Sequence, residues 1–563
     1  MLRLLLIVWV CCAVAASADE PEPWSAVYAR EAVAADHALA SRAGAEMLAL
    51  GGNAVDAAVA TSFALSVVRP YSCGIGGGGF MVIYLPADPR HGRVETAINY
   101  RETCPGAIRP TSYEGLEEEA SRVGGMASAV PGTVAGLLYA LERYGTLPRE
   151  VVLAPAIRYA EEGFAVDAHY MQEVRSLIPR FRDDASWRSR FDYVWRIYLH
   201  EGHVAQGSKV RTPAQADALR LIARDGAGAM YGGVIGEAIV ERIARDGGVM
   251  TAADLAAFRV RETAPLRHEV GGRAVLSMPP PSSGGVALVQ VLDFMHRTGG
   301  WSEDATWAHR LAEGMKHAFA DRARYMADPE FVPVPVEALL AEGELAGRAL
   351  RYDDAGTQAI ETYGRAGAPA AEAGAGGGTS HFCVVDRWGG AVSCTETINL
   401  AFGAKLAAES FGIVLNNQMD DFTTRPGSAN AFGLTQSAAN APEAGKRPLS
   451  SMTPTIVLDE EGRVLVVAGA SGGPRIISAT VQVVARALGG ANAGEAVGAT
   501  RLHHQWSPDI VYVENHLAGD ALAARGHTVR EAAALGTAQA ITRGRDGWHA
   551  ASDPRKGGKP AGR

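Results

Sequence analysis

Residues 364–378 read Gly-Arg-Ala-Gly-Ala-Pro-Ala-Ala-Glu-Ala-Gly-Ala-Gly-Gly-Gly, a low-complexity stretch with almost nothing that could pack into a core. At Thr379 the texture changes abruptly to an alternating run, Thr-Ser-His-Phe-Cys-Val-Val-Asp. Thr379, His381 and Cys383 share one face of the strand this predicts, and Ser380, Phe382 and Val384 the other. A polar Thr at the first position of a strand, directly after glycines, is what an N-terminal nucleophile requires. Its hydroxyl is a weak nucleophile until a base takes the proton. Cutting the Gly378–Thr379 bond would create that base in place, as the α-amino group of Thr379. The same residues also read as an ordinary linker followed by a hairpin with a surface threonine.

Length alone, 563 residues, allows three or four domains of about 150 residues each. With 47% hydrophobic and 20% charged residues the chain can bury a large core, and its 65 glycines suggest close backbone packing. A net charge of −9 argues against a nucleic-acid partner. Residues 1–18 have the form of a secretory signal: Arg3, an apolar run over 4–14, then Ala16-Ser17-Ala18 as a small-residue cleavage site. That run is too short for a stable membrane span, and Asp19 and Glu20 follow at once. The expected address is the bacterial periplasm, or secretion. Removal of the signal leaves Cys73, Cys104, Cys383 and Cys394, too few for a disulfide scaffold. Cys383 and Cys394 could face each other across the Trp388-Gly389 turn, so one bridge is possible but not implied. No Cys/His spacing suggests zinc, and His309 and His317 read as surface or core, so no metal is expected.

A helix is predicted over 37–50, stopped by Gly51-Gly52. Asn53 and Asp56 then form a variant capping box for a buried helix over 54–68. Gly74-Ile-Gly-Gly-Gly-Gly79 fits a dinucleotide fingerprint, but a strand over 80–85 follows where a helix should open, and nucleotide binding is rejected. Asn99-Tyr-Arg101-Glu102 ends the next extended segment; by itself the Arg–Glu neighbour pair reads as solvated or structural. The middle of the chain is mostly helical, with a short strand over 274–278 before Pro279-Pro-Pro-Ser-Ser-Gly-Gly285. After Thr379 come strands over 381–386, 391–397, 455–458 and 463–468. Strands and helices in this order suggest sheets sandwiched by helices.

Thr397 and Asn399, Gln418 and Asp421, Ser450 and Ser451, and Gly472 and Gly473 stand where apolar packing does not explain them. With Gly51-Gly-Asn-Ala-Val-Asp-Ala-Ala58, Gly76-Gly-Gly-Gly-Phe-Met81, Val130-Pro-Gly-Thr-Val-Ala-Gly136, Pro279–Gly285, Thr379-Ser-His-Phe, Leu415-Asn-Asn-Gln-Met-Asp-Asp-Phe422, Arg447-Pro-Leu-Ser-Ser-Met-Thr-Pro454 and His503-His-Gln-Trp506, they run in family order over almost the whole mature chain. The chain resembles the γ-glutamyltranspeptidases, enzymes of the N-terminal nucleophile class. The resemblance implies one α/β (α+β) unit, a four-layer αββα sandwich made as one precursor. It would be self-cleaved into a large subunit, 19–378, and a small catalytic one, 379–563. It also implies Thr379 as nucleophile, Thr397 as its hydrogen-bond partner, and the N–H groups of Gly472 and Gly473 as oxyanion hole. Arg101, Ser450 and Ser451 match positions that hold the α-carboxylate of a γ-glutamyl group, and Asn399, Gln418 and Asp421 those that hold its α-amino group. The implied substrates are glutathione and related γ-glutamyl compounds, with water, amino acids or dipeptides as acceptors and no cofactor.

Three readings compete or qualify. Gly469-Ala-Ser471-Gly-Gly473 matches a serine-hydrolase elbow after a strand and before a helix, with Ser471 attacking. Some relatives of the resembled family are glutaryl or cephalosporin acylases. In the lid-like loop over 426–434, Phe432 stands where some members carry Tyr, and a Phe cannot donate the hydroxyl bond that would latch the lid to Asn399.

Overall fold

The structure, a computed structural model, describes residues 23–364, 378–425, 427, 429–434 and 437–563. The signal segment, most of the low-complexity stretch and parts of the lid-like loop lie outside the described residues. Among those described, no helix is long and apolar enough to cross a membrane.

Two seven-stranded sheets lie face to face. One runs Ser25–Tyr28, Trp548–Ser552, Thr537–Arg543, Val464–Ser471, Thr455–Leu458, Arg273–Ser277, Leu266–Val270. The other runs Ala561–Gly562, Ala32–Ala35, Gly378–Val385, Ala391–Asn399, Gly78–Asp88, Gly92–Asn99, Arg261–Thr263. Every pairing in both sheets is antiparallel, which makes the unit α+β rather than doubly wound. Each sheet takes strands from both sides of the Gly378–Thr379 junction.

Three apolar layers hold the sandwich. Cys383, Val385, Ile456, Val467 and Ile541 meet between the sheets. Phe382, Val384 and Val392 turn outward onto the helices Ala38–Ala49 and Ala54–Val68. Val275, Val457 and Val466 turn outward onto Gly284–Thr298, Trp307–Tyr325 and Arg475–Leu488. The strand Gly378–Val385 is thus buried on both faces, because each face has its own layer. The Asn53–Asp56 capping box forms as expected; such a cap contributes about 1 kcal/mol.

The bridge that the sequence left open between Cys383 and Cys394 does not form. Phe382, not Cys383, lies opposite Cys394, so the two cysteines point to opposite faces; all four described cysteines are free. His309 and His317 are both buried. His309 Nδ1 meets His527 Nε2 at 2.7 Å, and the two Glu313 oxygens take the hydroxyls of Thr357 and Tyr363. Lys316, 3.5 Å from Glu313, supplies a positive charge to this cluster.

Candidate active site

The nucleophile strand begins one residue before Thr379. A Cβ on Gly378 would stand 2.4 Å from the Tyr71 carbonyl oxygen, so only glycine lets the chain enter here. The register then shifts: Gly378 faces Asn399, but Thr379 faces Thr397. Asn399 takes up the irregularity with φ 77°, a left-handed conformation that Asn tolerates better than most residues.

That shift brings three groups onto one hydroxyl. Thr397 Oγ1 donates to the Gly378 carbonyl at 2.6 Å and accepts from Asn399 N at 2.8 Å. Having one proton, it must also accept from the Thr379 hydroxyl, 3.1 Å away. The Gly378 carbonyl and the Thr379 hydroxyl therefore share one partner. His381, on the same strand face, offers no base: burial holds it near pKa 3, and its nitrogens meet Thr395 and the Cys383 thiol. Lys556 donates to the Thr379 carbonyl at 2.6 Å and pairs with Asp36 at 2.5 Å, anchoring the nucleophile from behind.

Thr379 opens into a cavity of about 30 Å³. Its walls include Thr397, Asn399, Gln418, Asp421 and Arg101, and also Ser450, Ser451 and Gly473. Nine of the ten residues expected in catalysis or binding thus meet at one point. Gly472 does not line the cavity; it lies beside Gly536, with φ 123°, and Gly473 has φ 62°. Both conformations favour glycine, and the reversal carries the chain from the strand Val464–Ser471 into Arg475–Leu488.

Arg101 is buried and does not stand apart from Asp421. Its Nη2 meets Asp421 Oδ2 at 2.5 Å, and Nη1 lies 3.7 Å from Glu102. Burial raises the Glu102 carboxyl to about 7 against the pull of Arg101. Gln418 Nε2 donates to Asp421 Oδ2 at 2.7 Å, while Gln418 Oε1 is buried without a partner among the described residues. Ser450 is fixed through its backbone: Ser283 N and Oγ both donate to its carbonyl, at 2.9 and 2.7 Å.

The described part of the lid-like loop is held without a hydroxyl at position 432. Phe432 closes over Gly473, where an added Cβ would meet its ring at 2.6 Å. Asp420 accepts from Ala431 N, Asn430 reaches Asp421, and Gln505 donates to the Gly433 carbonyl. The Asn399 amide donates to the Asn417 carbonyl instead. A larger cavity, about 270 Å³, shares Leu434 with the first but is lined by Arg122, Asp420 and Arg425 and not by Thr379.

Ser471 ends its strand rather than following it. Its hydroxyl meets Thr537 at 2.5 Å and Lys556 at 3.4 Å, with no histidine among its described partners. Ser471→Ala should therefore keep self-cleavage and lose less than about tenfold in kcat, where removal of a triad serine costs ~10³-fold or far more. Steady-state kinetics on the variant distinguish the two. A near-total loss in a normally processed protein would restore the serine-hydrolase reading.

Sequence reasoning missed Arg322 and Lys556. Arg322 lies on the cavity wall, 2% exposed, with its guanidinium lowered to about 10 by burial.

Comparison with known proteins places this geometry. A family model described as Gamma-glutamyltranspeptidase matches residues 40–563. A glutathione hydrolase proenzyme of Escherichia coli (strain K12) is 38% identical over 543 residues, covering 93% of this chain and 90% of its own. Among solved structures, a cephalosporin acylase from Bacillus halodurans superposes with TM-score 0.83 at 25% identity, over 98% of this chain and 99% of that one. A gamma-glutamyltranspeptidase from Pseudomonas nitroreducens, complexed with L-DON, gives TM-score 0.52 at 35% identity, over 57% of this chain and 95% of that one.

Proposed function

The chain belongs to the γ-glutamyltranspeptidase family, and on that premise we propose how its residues do the work. It is a γ-glutamyltransferase and glutathione hydrolase of the autoprocessed N-terminal nucleophile class. In the precursor, Thr379 Oγ attacks the Gly378 carbonyl carbon, whose oxygen already accepts from Thr397. The peptide shifts to an ester, and water releases Gly378 as a carboxylate and Thr379 with a free α-amino group. That amine then takes the hydroxyl proton as Thr379 attacks the γ-carbonyl of the donor. The oxyanion is held by the N–H of Gly473, which lines the cavity, and by that of Gly472, which does not line it but precedes Gly473 in the same turn, a role worth about 10²–10³ in rate per donor in other enzymes. The leaving amine departs with the proton, and water, an amino acid or a dipeptide accepts the γ-glutamyl group.

The observation that carries this reading is the single cavity that joins the Thr379 hydroxyl to a guanidinium, a carboxylate and two amides. A fork of N–H donors reads a carboxylate; an acid and amide oxygens read an ammonium. Together they select a free amino-acid head and leave the γ-amide at the nucleophile. Phe432 and Leu434, in the described part of the lid-like loop, form part of the cavity wall. Export by residues 1–18 to the periplasm completes the proposal.

A second reading, glutaryl or cephalosporin acylase, draws on the full-length likeness to the Bacillus halodurans enzyme. The two differ at the α-amino group, which a glutaryl donor lacks. The purified mature protein should release glutamate and cysteinylglycine from glutathione. It should also favour γ-glutamyl anilide over glutaryl anilide by about 30-fold or more, since losing the contact of an ammonium with a buried carboxylate costs ~2–5 kcal/mol. Equal or better turnover of glutaryl anilide would hand the assignment to the acylases.

A further inference from the structure

We infer that Arg322 is a second reader of the donor's carboxylate, binding it through Nη1 and also positioning Ser450 and Ser451 through Ser283. The inference rests on the functional reading above and deepens it. Arg322 lies near the end of the helix Trp307–Tyr325 and shares the cavity wall with Arg101, Ser450 and Ser451. Its Nε donates to Ser283 Oγ at 3.1 Å, and that hydroxyl donates onward to the Ser450 carbonyl at 2.7 Å.

Nη1 is different. It is fully buried and has no hydrogen-bond partner among the described residues. Leaving a charged donor buried and unpaired is among the costlier things a fold can do, and such groups call for an explanation. A carboxylate arriving in the cavity provides one. Arg101 is also already engaged, its Nη2 holding Asp421 at 2.5 Å. The charges on the cavity wall point the same way. Two guanidiniums, Arg101 and Arg322, line it against one carboxylate, Asp421, so the wall carries an excess of positive charge. Glu102 lies behind Arg101 and does not line the cavity.

A purely structural role, pinning the helix to the turn at Ser283, predicts the same loss on every substrate. Three anilides separate the two: γ-glutamyl, glutaryl (carboxylate without amine) and 4-aminobutyryl (amine without carboxylate). Arg322→Met should lower kcat/KM on the first two by about 10- to 100-fold, mainly through KM, as expected for a lost hydrogen bond to a charged group. On 4-aminobutyryl anilide the loss should stay below about threefold. Arg322→Lys should recover part of the loss, with the same substrate pattern, and Ser283→Ala should give a smaller loss confined to the same two substrates. Processing into two fragments checks the fold; should Arg322→Met fail to process, the pattern with Arg322→Lys decides. Equal losses on all three anilides, or none, would overturn the inference. A wild type that treats γ-glutamyl and 4-aminobutyryl anilides alike would instead overturn the donor assignment, and this inference with it.

Discussion

Thr379→Ala is expected to leave one uncleaved chain with no measurable turnover. Both reactions use the same oxygen, so removing it abolishes the cut and the later attack on the donor together. Loss of a nucleophile typically costs ~10³- to 10⁶-fold, here compounded because the base, the Thr379 α-amino group, is never released. The fold should survive, because the Thr397 hydroxyl keeps the Gly378 carbonyl and Asn399 N as partners. A denaturing gel should show two bands for the wild type and one for the variant. N-terminal sequencing of the wild-type bands should read from Asp19 and from Thr379. An intact Gly378–Thr379 bond in fully active enzyme would sink the mechanism.

The second large effect lies at the amino-acid clamp. Arg101 and Asp421 meet at 2.5 Å, so the groups assigned to the donor's carboxylate and amine stand side by side, as those two groups do on one carbon of the donor. Removing either leaves the other buried against an unmatched end of the substrate, at a cost of about 2–5 kcal/mol, or roughly 30- to 4,000-fold. Asp421→Ala should lose that much kcat/KM on γ-glutamyl anilide and little on glutaryl anilide, which has no amine to miss. Arg101→Gln should lose on both, and little on 4-aminobutyryl anilide. Cleavage at Thr379 should proceed in each. Uniform losses across the three substrates would mean that the pair supports the fold rather than reading the donor.

Much of this was legible before any coordinates, for physical reasons that differ by residue. Asn53 and Asp56 announce their cap because the bonds are local, three residues apart. Thr379 stands out because a polar residue opens a strand after glycines. Arg322 was not legible: a guanidinium on a helix rich in Arg, Lys and His looks solvated, and only tertiary packing buries it. Lys556 sits in a tail of glycines and cations that reads as solvent-facing, yet it reaches the nucleophile's carbonyl from 177 residues away. Whether Cys383 and Cys394 face each other was not legible, because the turn between the two strands fixes pairing, and a slip of one residue reverses every face. Ser471 stood as a rival because its motif fits locally, whereas a triad depends on partners distant in sequence.

Both sheets interleave strands from before and after the Gly378–Thr379 bond, the strand Gly378–Val385 itself lying between Ala32–Ala35 and Ala391–Asn399. While the chain is whole, the two parts find each other at the high effective concentration of a tether, in the millimolar range for a short flexible one. Once the bond is cut, the native sheets stay paired, but the route back to them after unfolding becomes a bimolecular encounter that weakens with dilution. Maturation thus makes refolding concentration-dependent. The working enzyme persists through the height of its unfolding barrier rather than through ready return, and the precursor is the only form that assembles this sandwich as one chain.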